Sequence, residues 1–122
     1  MNGYIKKEIL GKERGLKFGL MAIENISIEL ERLKKIGTSD TAVLPIMIYW
    51  GLANNCFLKR EEVDFSFEDV ADWVDENIDD VELFEDVAKA FESAKVIKKG
   101  MQIVEDEKKR TLISKQKKGG TK

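Results

Sequence analysis

Asp75, Asn77, Asp79 and Asp86 fall at positions 1, 3, 5 and 12 of a calcium-loop count, the spacing that would gather oxygen ligands round a cation. The sixth position breaks the pattern: Asp80 stands where the sharp turn needs glycine, and Asp86 replaces the longer bidentate glutamate. These residues are therefore read as helix caps and solvated charge. Asp72 and Glu76 share one helical face at i, i+4, a geometry in which two carboxylates can divide acid and base roles. In the acidic stretch from Glu61 to Glu92 they are instead expected to keep the surface soluble.

Cys56 is the single cysteine and has no intramolecular disulfide partner. Its neighbours Leu52, Phe57 and Leu58 predict a buried thiol of raised pKa, a small hydrophobe more than a nucleophile. Gly11, Gly15 and Gly19 recur without the strand-to-helix turn or the Gly-Lys-Ser/Thr ending that cradles phosphate. The chain has no histidine, which removes the usual general base, the commonest transition-metal ligand and every imidazole-dependent triad. No catalytic, cofactor-binding or metal-binding residue is nominated, and an enzyme is not expected.

The 122 residues suit one domain, and 43% hydrophobic with 36% charged residues is enough apolar material for a core. The formal charge of −2 hides an asymmetry between the acidic middle and a basic end rich in Lys108, Lys109, Arg110, Lys115, Lys117 and Lys118. That end lacks aromatics and is short, so nucleic acid is an unlikely partner. The N-terminus lacks the basic-then-apolar order of a signal peptide, and one unpaired cysteine suits a reducing compartment, so a cytoplasmic location is expected. The uncharged run Thr41 to Leu58 contains Pro45, Gly51, Asn54 and Asn55 and is read as a buried or interface helix, not a membrane span.

Alternating apolar residues, Ile5 and Ile9 on one arm and Leu16 and Phe18 on the other, predict a short β-hairpin turning at Gly11-Lys12-Glu13. From Gly19 the period becomes helical. Helix one carries Leu20, Ile23, Ile26, Leu30 and Leu33 and should close at Gly37. Helix two runs to about Lys59. Ser66 with Asp69 has capping-box spacing ahead of Phe67, Val70, Ala71, Val74 and Ile78. Asp79 or Asp80 can cap a fourth helix bearing Leu83, Phe84, Val87, Phe91 and Ala94 and closing near Gly100. The fold class is mainly α: an N-terminal hairpin on a bundle of about four helices over residues 1–104, then a flexible basic tail over 105–122.

Helix two has two apolar stripes, Val43, Ile46, Met47, Trp50 and Phe57 on one side and Leu44, Ile48, Leu52 and Cys56 on the other. Either it is the central helix of the domain or one stripe is covered by a second chain, which leaves a homo-oligomer open.

The segment Leu10-Gly11-Lys12-Glu13-Arg14-Gly15-Leu16-Lys17-Phe18 followed by Met21-Ala22-Ile23-Glu24 resembles the hairpin-to-helix opening of phage tail assembly chaperones. Phe65-Ser66-Phe67-Glu68-Asp69-Val70-Ala71-Asp72-Trp73-Val74 is similar to an acidic helix of the same group in long-tailed phages and prophages. The resemblance implies a protein that binds the tape measure protein, and often tail tube subunits, and keeps them soluble until the tail is built. Independently, large aromatics and Met nominate Ile46, Met47, Tyr49, Trp50 and Phe57, with Trp73 at the edge, as protein contacts. Rival readings are an antitoxin-like adaptor with one tight partner, and a nucleic-acid accessory protein acting through the basic tail.

Overall fold

A computed structural model describes residues 2–36 and 42–94. Strands β1 (Tyr4–Ile9) and β2 (Lys12–Lys17) pair antiparallel, and helices α1 (Leu20–Ile36), α2 (Val43–Lys59), α3 (Phe67–Glu76) and α4 (Val81–Glu92) follow. The chain is thus mainly helical, with an N-terminal hairpin.

The hairpin turns on two residues, Leu10 and Gly11, not on Gly11 to Glu13 as the sequence reading has it. Both take positive φ, 54° and 81°, the primed turn whose twist matches that of the strands. Leucine is an unusual occupant of the left-handed region, but here its side chain packs against the core. Ile9 and Leu16 are fully buried beneath the sheet, and Ile5 is half-buried beside them. Lys7 and Arg14 face each other across the strands, a like-charge pair that would repel if left alone. Each is matched from elsewhere: Lys7 Nζ lies 2.6 Å from Asp86 of α4, and Arg14 Nη1 lies 2.6 Å from Asp64 in the α2–α3 connection.

Helix α2 is the hub, packed against α1, β2 and α3. Its two stripes are explained by that position: Ile48 and Leu52 face inward on one side, and Ile46 is covered on the other. Gly51 allows the closest approach, for a Cβ there would lie 3.0 Å from the Phe18 ring. Pro45 is third in the helix, where its missing N–H is among the donors no helix can satisfy internally. The helix ends on Arg60, left-handed at φ 56°, whose N–H reaches the carbonyls of Cys56 and Phe57.

Helix α3 begins with the expected capping box: Asp69 N–H donates to Ser66 Oγ at 3.0 Å, and Ser66 N–H to Asp69 Oδ2 at 2.9 Å. Asp80 caps α4 by accepting from Leu83 N–H at 3.2 Å.

Three sequence expectations shift. Leu20 is 58% exposed, since it sits about 160° round α1 from Ala22, which with Ile26 forms the buried line. Ile78 lies past the end of α3 and is exposed. Helix α4 stops at Glu92, short of the expected closure near Gly100. There Ser93 Oγ accepts from Gly3 N–H at 3.1 Å and donates to the Ala90 carbonyl at 2.8 Å, and Ala94 is buried against Gly3. Gly37, Gly100 and the basic segment 105–122 lie outside the described residues. Among those described, no helix is long and apolar enough to cross a membrane.

Candidate functional site

An apolar groove of about 420 Å³ opens between α1, α2 and the start of α3. Leu33, Glu29 and Arg32 come from α1, Ala42, Pro45, Ile46, Tyr49 and Trp50 from α2 and the residue before it, and Phe67 from the first turn of α3. Tyr49 organises the aromatics. Its ring meets Trp50 edge-on at 5.0 Å and 82°, Phe65 at 5.8 Å and 84°, and Phe67 at 5.7 Å and 74°. Edge-to-face contacts of this kind hold the rings in fixed relative orientation, so the groove wall is preformed. Phe67 is 40% exposed at its rim. Arg32 and Glu29, joined at 2.7 Å, put both signs of charge along the α1 side.

The six residues nominated for protein contact do not form one surface. Ile46, Tyr49 and Trp50 converge on the groove, Ile46 as its buried floor. Met47 packs against the core instead. Phe57 is 68% exposed but lies near the C-terminal end of α2 and does not line the groove. Trp73 borders a separate, polar hollow with Lys7, Glu8, Asn77 and Glu82. Phe67 was read as part of the α3 core stripe and Leu33 as part of that of α1. The available signal for Phe67 was its place directly after the Ser66 cap, where a helix has made less than one turn and its neighbours cannot yet cover it.

Asp64, Asp80 and Asp86 are engaged in contacts that hold the fold. Asp64 accepts from Arg14 and lies 2.9 Å from Lys12, and these hydrogen bonds hold its carboxyl well below the usual carboxylate range. The hydrogen bond from Lys7 lowers Asp86 in the same direction. Burial pushes the Cys56 thiol up, and the negative charges of Glu61 and Asp64 add to the effect. A thiol so placed is a weak nucleophile at neutral pH, because the thiolate is the reactive form. Asp86, the last residue of the calcium-like count, is committed to an ion pair, and Asp80, which breaks that count, to a helix cap.

Comparison of the chain with protein-family models, with curated proteins and with solved structures finds no match.

Proposed function

We propose that this protein acts by binding, as a tail assembly chaperone of the kind found in long-tailed phages and prophages. It holds the tape measure protein, tail tube subunits or both in soluble form in the cytoplasm until assembly, and no chemical step is required of it. The observation that carries the reading is the groove between α1 and α2, with its Tyr49-centred aromatic wall and half-open Phe67. An apolar trough between helices accepts one face of an amphipathic helix, the form in which a long helical client exposes its sticky side. Aromatic side chains supply large contact area for little lost rotamer freedom. The acidic surface of α3 and α4 keeps such a complex dissolved and discourages self-association.

Co-expression with the tape measure protein of the same genome tests this. The client should be soluble and co-purify only when the chaperone is present. A client that stays insoluble, or is soluble to the same extent alone, contradicts the proposal.

A further inference from the structure

Ala22 and Ile26 turn one side of α1 to the core, and Ile28, two residues further on, stands about 160° round the helix and is 65% exposed. A shallow hollow of about 450 Å³ lies at Ile28, lined by Ser27, Glu31, Arg32 and Lys35 besides, and all of its lining belongs to α1. One exposed isoleucine is ordinary on a protein surface, and it is the order of the charges around it that specifies a partner. Along α1 the acids come first, Glu24, Glu29 and Glu31, and the bases after, Arg32, Lys34 and Lys35. The helix is therefore neutral, whereas α3 carries five acidic residues and no basic one. A second copy of the chain is repelled from α3 and not from α1.

Met21, Glu24, Ile28, Glu31 and Lys35 follow the alternating three-and-four spacing of a helix-pairing seam, with Arg32 at its margin. At 100° per residue all six lie within about 100° of arc on the outer face. When two such helices run antiparallel about a two-fold axis at Ile28, residues equally far from it on either side meet. Glu24, four residues before, then meets Arg32, four residues after, and this happens twice by symmetry. Met21, seven before, meets Lys35, seven after, whose hydrocarbon stem can lie along it. Ile28 meets itself. A parallel pair would instead set Glu24 on Glu24 and Lys35 on Lys35.

We infer that two copies of this chain pair through the outer face of α1, antiparallel and two-fold about Ile28. A basic segment on this face would be opposed by Arg32 and Lys35, and an acidic one by Glu24 and Glu31. A face that carries both signs in mirror order about an apolar centre fits itself. Arg32 is bonded to Glu29 of its own helix at 2.7 Å, yet its side chain is 68% exposed, and a guanidinium has donors enough for a second carboxylate, that of Glu24 in the other copy. One helix face per copy is a small contact, so the dimer is of the weak and reversible class. Of the residues lining the α1–α2 groove only Arg32 is shared, and pairing leaves the aromatic wall of that groove uncovered.

Sedimentation equilibrium of the full chain, from about 10 μM to about 1 mM, tests this without any client protein. The expected result is a monomer–dimer equilibrium that is weakened about tenfold by Glu24→Arg and by Arg32→Glu, each of which sets two like-charged pairs in the contact, and restored when both changes are made together. Restoration separates pairing from damage to the helix, because both changes run against the α1 dipole and their structural costs would add. A chain that stays monomeric at the highest concentration overturns the inference, as does a dimer that Glu24→Arg leaves intact, which is held by another face. Ile28→Cys decides the matter even if the charge variants fail to fold. Under mild oxidation it should link two chains faster than Lys34→Cys does, since position 28 alone meets itself on the axis, and equal rates overturn the inference.

Discussion

Asn54 of α2 caps α1: its Oδ1 accepts from Gly19 N–H at 3.0 Å and from Ala22 N–H at 3.2 Å. Helix α1 has no acidic residue in its first turn, so the donors at its start are answered by a side chain 35 residues further along the chain than Gly19. Asn54 is 2% exposed, which makes the contact a buried one and ties the start of α1 to the last turns of α2.

Replacing Asn54 with alanine should therefore cost about 2–3 kcal/mol, because buried N–H groups lose their acceptor with no water to replace it. Urea unfolding should show a lower midpoint with an unchanged slope. Asn54→Asp, which keeps the acceptor oxygens at a helix N-terminus, should lose less.

Gly51→Ala should destabilise although alanine is the better helix former. The added methyl would meet Phe18 Cε1 at 3.0 Å and Leu16 Cβ at 3.3 Å. Phe18 has little room to yield, being 1% exposed and set edge-on against Phe91 at 5.4 Å. Overpacking of this kind costs about 1–3 kcal/mol, against a propensity gain of at most about 1 kcal/mol. Thermal denaturation should show a lower midpoint; a higher one means the ring shifts freely.

Acid should loosen the hairpin from the helices. Asp64 and Asp86 have folded pKa values below their unfolded ones, held there by Arg14 with Lys12 and by Lys7. The stability they contribute is present above the unfolded value, about 4, and is lost as pH falls through the folded value. Melting temperature should fall below about pH 4, and more shallowly in Asp64→Asn and Asp86→Asn. Parallel curves in wild type and variants would show that neither pair is linked to folding.

Local signals carried most of the fold, and contacts between distant segments carried what was missed. Ser66, Asp69 and Asp80 cap helices by bonds within three residues of themselves, so their roles could be read from spacing. Gly11 marked the hairpin, but Leu10 offered no sign that it would take positive φ, because its reason is packing against a distant core. Asn54 looked like a polar interruption of an apolar run, and its part as the cap of another helix depends on how α1 and α2 meet. The candidate groove was half legible for the same reason. Periodicity placed Ile46 and Trp50 on one stripe of α2 and residue type alone nominated Tyr49, yet neither signal tells where a neighbouring helix begins or ends. That separates Phe57, exposed near the end of α2, from Phe67, half-open at the rim.

The central claim, that the α1–α2 groove is the working surface, is tested most directly by co-purification of the tape measure protein with Phe67→Glu and Phe67→Leu. Phe67 is the first residue of α3, where a negative charge suits the helix dipole, so Phe67→Glu should stay folded at a cost of about 1 kcal/mol for the lost contact with Tyr49. The predicted result is capture abolished by Phe67→Glu and retained by Phe67→Leu, both proteins folded. Full capture by a folded Phe67→Glu would contradict the account.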